Sequence, residues 1–209
     1  MMARYLTGLV IATDDERIRE AAHSFKARVV MTRPDHVSGT DRVAEAASAS
    51  DAHVVVNIQG DEPLIDPGAI DAAILGLLEA EDVEMATLAT RIERAEDIAD
   101  PNVVKVVKDR RGNAIYFSRA PIPYLRDASE RATYFKHIGL YVYRRDFLLE
   151  YAALPVGPLE RAERLEQLRA LENGHKIRVV ETAYDSLGVD TPEDWQRVSE
   201  LFEKTSITG

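Results

Sequence analysis

The run His53-Val54-Val55-Val56-Asn57-Ile58 ends directly on Gln59-Gly60-Asp61-Glu62-Pro63, and this junction narrows the folds open to the chain. A short apolar, β-branched run bounded by turn residues reads as a strand covered on both faces. Strands of that kind belong to α/β proteins, and ligands of open α/β sheets bind outside the carboxyl ends of the strands. Asp61 is therefore the first candidate for metal or nucleotide chemistry. The same pentapeptide also suits a plain turn, with Gly60 supplying permissive backbone angles, Pro63 opening a helix and both carboxylates solvated.

The rest of the chain repeats the pattern. Residues 8–12 read as a strand, and Thr13 with Glu16 offers a capping box for a helix running to about Phe25. A short strand at Val29-Val30-Met31, a helix from about Asp41, a helix from about Pro67 and a strand over 84–89 follow. Alternation of this kind predicts a mostly parallel sheet. After Pro101 the texture changes: Val103-Val104-Lys105-Val106-Val107 and Ala114-Ile115-Tyr116-Phe117 flank Asp109-Arg110-Arg111-Gly112-Asn113, which reads as a hairpin opening an antiparallel insertion. In the strand over 136–143, period-two alternation sends Ile138, Leu140 and Val142 to one face and His137, Gly139, Tyr141 and Tyr143 to the other. A charged helix over 158–173 carries Leu165, Leu168 and Leu171 on one side, and Asn173-Gly174 ends it. A strand over 177–181 and a final helix from Pro192, carrying Trp195, Val198 and Leu201, complete the order.

Composition removes several function classes. The 209 residues include no cysteine, which excludes disulfides, cysteine-ligated metals and a cysteine nucleophile, and fits a cytoplasmic home. A formal net charge of −10 disfavours nucleic acid and anionic membrane as partners, while leaving room for a basic pocket around a small anion. No stretch approaches the roughly 20 apolar residues of a membrane span, and the amino terminus lacks a signal-peptide pattern. Neither a Gly-x-Gly-x-x-Gly fingerprint nor a Gly-x-x-x-x-Gly-Lys-Ser/Thr loop occurs, which disfavours ordinary dehydrogenases and P-loop ATPases.

Among the remaining chemistries, magnesium takes oxygen ligands and often only one or two protein carboxylates. Asp61 and Asp190, each just after an apolar run, can supply them if both runs end at the same rim; Asp190 before Thr191-Pro192-Glu193-Asp194 equally suits a helix cap. His36-Val37-Ser38-Gly39-Thr40-Asp41-Arg42 leads hydroxyls, a glycine and backbone amides into a helix start, a setting for an anion or a base edge or simply for a capped loop. Arg119, before the stiff Pro121-Ile122-Pro123 turn, has the fork that suits a carboxylate, and the ordinary alternative is a solvated arginine. His137 on the polar strand face is a substrate ligand or a structural histidine. Glu166 and Gln167 read as surface residues of a helix.

Taken in order, these segments resemble the CMP-Kdo synthetases, the 3-deoxy-manno-octulosonate cytidylyltransferases of lipopolysaccharide synthesis. The resemblance rests on Met31-Thr32-Arg33, Ser38-Gly39-Thr40-Asp41-Arg42, Val56-Asn57-Ile58-Gln59-Gly60-Asp61-Glu62-Pro63, Met85-Ala86-Thr87-Leu88, Asn102-Val103-Val104-Lys105-Val106-Val107, Tyr116-Phe117-Ser118-Arg119, His137-Ile138-Gly139-Leu140-Tyr141, Leu165-Glu166-Gln167-Leu168-Arg169 and Gly188-Val189-Asp190-Thr191-Pro192. It implies a Rossmann-like nucleotidyltransferase fold of the nucleotide-diphospho-sugar transferase type, a three-layer α/β sandwich with an antiparallel dimerisation lobe at about 101–175. It further implies CTP and Kdo as substrates, Mg2+ as cofactor and a homodimer. By motif position, Asp61 and Asp190 are the metal ligands and the catalytic pair. Gln59, Ser38, Gly39, Thr40 and Arg42 contact the nucleotide; Arg119, His137, Tyr141, Glu166 and Gln167 surround the sugar acid.

Members of that family carry a strand, a triphosphate-gripping loop rich in Arg, Gly, Pro and Lys, and a helix ahead of the segment matching residues 8–13. Residues 1–7 are too short to hold such a unit, so the resemblance reads the chain as truncated at its amino terminus. It predicts exposed apolar sheet edges where a strand is missing. A homologue without catalytic activity that binds nucleotide or a partner subunit is the alternative function.

Overall fold

The computed structural model describes residues 2–127, 129–185, 188–189 and 191–206, with no side chains for 203–206. The order begins β1 (Ile11–Thr13), α1 (Glu16–Ser24), β2 (Val29–Met31), α2 (Gly39–Ser48), β3 (Val54–Asn57), α3 (Pro67–Leu78) and β4 (Met85–Arg91). It continues α4 (Ala95–Ala99), β5 (Lys105–Lys108), β6 (Ala114–Ser118), β7 (Phe135–Arg144), α5 (Arg145–Tyr151), α6 (Pro158–Glu163), α7 (Leu168–Glu172), β8 (Ile177–Glu181) and α8 (Pro192–Ser206).

A six-stranded mixed sheet runs β6-β5-β7-β4-β8. β7 pairs antiparallel with β4 along one edge, and its other edge takes β5 at Lys136 and β3 from Tyr141 to Arg144. β4 and β8 are parallel, the one parallel pairing in this sheet among the described residues, so the mostly parallel sheet expected from the sequence is corrected to a mixed one: β7 enters antiparallel to β3, β4 and β5. The two-face reading of β7 holds. Ile138, Leu140 and Val142 pack with Ile70, Ile74 and Leu77 of α3, while Tyr141 and Tyr143 pack on the opposite side with Phe147, Tyr151 and Leu168. That division makes the three layers. The β4–β7 register shifts between Thr87, opposite Tyr141, and Leu88, opposite Ile138, so Gly139 and Leu140 form a bulge.

Where β7 passes into α5 stand two successive arginines that reach opposite outer layers. Arg144 Nε and Nη2 donate to Val83 O at 3.0 Å and Ala80 O at 3.2 Å, beyond the carboxyl end of α3. Arg145 Nε and Nη2 donate to Ala47 O and Ser48 O, both at 3.0 Å, closing α2. One dipeptide thus fastens the chain at the carboxyl end of a helix in each outer layer through backbone carbonyls.

Two local expectations are corrected. Asp15, not Thr13, caps α1, its carboxylate accepting from Arg17 N at 2.7 Å, because Thr13 Oγ1 is already accepting from Asp15 N at 3.1 Å. The helix expected over 158–173 is broken: Arg164 takes a left-handed φ of 51°, separating α6 from α7. In α8, Val198 is buried and Trp195 is 64% exposed.

β1 and β2 form a separate parallel pair, and no ladder joins β1 to β3 among the described residues. Val54, Val55 and Val56 of β3 are only partly buried, and Leu9 and Val10, just ahead of β1, are 68% and 40% exposed.

Candidate active site

The site forms where the carboxyl end of β3 meets the start of α2. Ser38 caps α2: its Oγ accepts from Asp41 N at 3.1 Å, and the Asp41 carboxylate accepts from Ser38 N at 3.2 Å. An oxygen that has accepted one bond can still donate its own hydrogen. Ser38 Oγ donates it to Glu166 Oε1 at 3.2 Å. Behind this pair, Gln59 Nε2 donates to Asn57 Oδ1 at 3.3 Å, and Asn57 Nδ2 lies 3.5 Å from the buried Thr40 hydroxyl. Gly39 lies against the same amide, since a Cβ there would stand 3.3 Å from Gln59 Oε1. Ser38, Gly39, Thr40, Gln59 and Glu166 are therefore one cluster, although they come from three separate segments.

Glu166 and Gln167 owe their place to the break after α6, and the surface-helix reading of both is overturned. Tyr151 Oη donates to Glu166 O at 2.6 Å, and Arg169 is held by the buried Glu160 carboxylate at 2.7 and 2.9 Å. Those anchors turn the intervening residues inward. Gln167 is 3% exposed, and its Nε2 has no hydrogen-bond partner, nor has the buried Asp41 Oδ1. Buried polar atoms are normally paired, so an orphan donor and an orphan acceptor near the cluster mark room for a polar ligand. Burial raises the Glu166 carboxyl above its ordinary pKa, opposed by the Thr40 hydroxyl, Arg169 and the Ser38 hydroxyl.

His137 and Tyr141 continue the site along β7, their rings 5.5 Å apart. Thr87 has one hydroxyl hydrogen, and its shortest contact, 2.8 Å to Leu140 O, takes it. Thr87 Oγ1 therefore accepts from His137 Nε2–H at 3.0 Å, which leaves Nδ1 as an acceptor. Burial beside Phe117 and Tyr141 pushes the imidazole pKa down to about 3, so the ring is neutral near pH 7. The Phe117 ring, 5.0 Å from His137, links this face to Arg119 two residues on. Arg119 N donates to Glu163 Oε2 at 2.9 Å, Nε to Glu163 O at 2.8 Å and Nη1 to Pro101 O at 3.0 Å.

Asp61 and Arg42 stand apart from this cluster. Asp61 is exposed in the turn after β3, and its carbonyl accepts from Val189 N at 2.8 Å. Asp190 lies outside the described residues. An exposed carboxylate in that turn has the hard oxygen donors magnesium takes, and magnesium commonly uses only one or two protein carboxylates. Among the described residues, no group of three or more His, Cys, Asp or Glu forms a metal cluster. Arg42 Nη1 is engaged with Thr32 Oγ1 at 2.5 Å and Asp14 Oδ1 at 3.2 Å, so it ties β1 to β2. Sequence reading missed Asn57, Thr87, Lys105 and Glu163. A polar residue inside or ending an apolar run was the available signal for the first three; Glu163 had none.

The fold and the cluster define a nucleotidyltransferase, and the chain belongs to the cytidylyltransferase family, whose profile matches residues 2–177. A 3-deoxy-manno-octulosonate cytidylyltransferase of Solibacter usitatus is 68% identical over 208 residues, covering 100% of this chain and 82% of that protein. The enzyme of that name in Geobacter sulfurreducens is 55% identical, covering 96% and 84%. A solved structure of CMP:2-keto-3-deoxy-manno-octonic acid synthetase complexed with CTP superposes with a TM-score of 0.90 at 42% identity, covering 96% of this chain and 82% of that one. No helix among the described residues is long and apolar enough to cross a membrane.

Proposed function

We propose that the chain transfers CMP from CTP to 3-deoxy-manno-octulosonate, forming CMP-Kdo and pyrophosphate, the reaction for which its relatives are named. The observation that carries this reading is the convergence of the 38–40 loop, Gln59, Glu166 and Gln167 at the carboxyl end of β3. Here the nucleotide lies along the α2 start and Gln59, where backbone amides and a small residue allow close approach. The sugar acid takes the His137–Tyr141 face. The Arg119 guanidinium receives its carboxylate as an ionic hydrogen bond through Nη2; neutral His137 Nδ1 accepts a sugar hydroxyl, and Gln167 Nε2 donates to a sugar oxygen.

The anomeric hydroxyl attacks the α-phosphorus, the bond to the β-phosphate oxygen breaks, and pyrophosphate leaves. Holding two polyanions in line is most of the task, so positioning and fixed dipoles supply most of the rate. Asp61, with Asp190, would hold Mg2+, which when bound neutralises phosphate charge. A homodimer through residues 101–175 and a cytoplasmic setting complete the reading. Pyrophosphate release from CTP, Kdo and Mg2+ tests it: turnover that stops on adding a chelator is expected. A pure, folded sample that binds CTP without turnover would instead support the non-catalytic homologue.

A further inference from the structure

We propose that Lys105 is a positioning residue that aims Arg119 at the carboxylate of the sugar acid; the inference rests on the role given to Arg119 above. Lys105 is wholly buried at the start of β5. Its ammonium has three hydrogens and meets three oxygens, Val103 O at 2.6 Å, Arg119 O at 2.7 Å and Asp100 O at 2.8 Å. Each is a backbone carbonyl rather than a carboxylate. Burying an ammonium without a bonded counter-ion is costly, and a methionine would fill the same stem space without that cost. What an apolar residue cannot do is draw three carbonyls to one point.

Those three carbonyls tie two segments together at Arg119. Two belong to the 100–103 segment, whose Pro101 carbonyl accepts from Arg119 Nη1 at 3.0 Å, and the third belongs to Arg119 itself. Across the β5–β6 ladder Lys105 pairs with Ser118, the residue before Arg119. From the other side Glu163 takes Arg119 N and Nε. The guanidinium is thereby fixed through Nε and Nη1, which leaves Nη2 without a partner among the described residues and available for a carboxylate. A carboxylate binds best to a fork whose orientation is already set, because no rotamer freedom remains to be lost.

Calorimetric titration of the full chain with Kdo and, separately, with CTP tests this in wild type, Lys105→Met, Arg119→Ala and the double variant. Lys105→Met should weaken Kdo by about tenfold or more, equivalent to about 1.4 kcal/mol, and leave CTP affinity within about twofold. In the Arg119→Ala background the same substitution should add nothing, because the residue it positions is gone. If Lys105→Met does not fold, Lys105→Gln, which keeps two donors on a shorter stem, should weaken Kdo by a smaller factor, still selectively and still only where Arg119 is present. Equal weakening of both ligands, or equal weakening of Kdo with and without Arg119, overturns the proposal. Unchanged Kdo binding by folded Lys105→Met overturns it alone; absence of Kdo binding by wild type overturns the functional reading and this inference with it.

Discussion

The β1–α1–β2 unit and the six-stranded sheet are made of similar residues packed to very different depths. Every residue of β4 from Met85 to Thr90 is buried, whereas β1, α1 and β2 bury only Thr13 and Ala22. The difference lies in neighbours. β4 has β7 on one edge, β8 on the other and helices over both faces, while β1 has a ladder to β2 alone among the described residues. A two-stranded ribbon gives its side chains few partners and is marginal by itself. Arg42, reaching Thr32 and Asp14, is one of the few side chains binding the unit together.

The largest test of this contrast is truncation in each region. Leu88→Ala, at 0% exposure between β7 and α3, should cost about 3 kcal/mol, and Val30→Ala in β2 about 1 kcal/mol or less, both read as shifts in a denaturant midpoint. Equal costs would mean that the two regions form one core.

The pH dependence of stability gives an intermediate effect within the deeper region. His137 stays neutral when folded down to about pH 3 but titrates near 6.5 when unfolded, so the unfolded chain binds the extra proton and stability falls as pH drops through that window. Glu166 has the opposite sign. Its raised folded pKa means the folded state holds a proton that the unfolded state releases, so its contribution weakens as pH rises above 4.5. His137→Gln should flatten the acid slope and Glu166→Gln should steepen it, both followed by thermal melts between pH 4 and 7. Identical slopes in wild type and both variants would remove both groups from the buried set.

The smallest effect is expected at the exposed rim. Leu9→Ser should change stability by no more than about 0.5 kcal/mol, because Leu9 is already 68% exposed. A loss of several times that size would show that this segment is covered in solution.

Much of the fold was legible because its signals are local. The run at 53–58, the 105–118 hairpin, the Ser38 cap and the alternation of β7 each follow from a few adjacent residues, and each is present. The site was legible in part. Residue order placed Gln59 and the 38–40 loop beside a strand end, but nothing local shows that Arg164 turns left-handed and delivers Glu166 and Gln167 into the same cluster. Asp61 lies in the turn read from the sequence but apart from the cluster, and Asp190 lies outside the described residues.

The sequence by itself therefore determined most of the strands, the two faces of β7 and the family, because periodicity, turn chemistry and motif order are properties of neighbours along the chain. Only the tertiary structure decided which charges are buried and what they hold. Lys105 in an apolar run could have been a solvated edge residue, and Glu166 a surface one. Their burial depends on segments 14 and 128 residues away, Arg119 and Ser38, which the chain brings close only on folding.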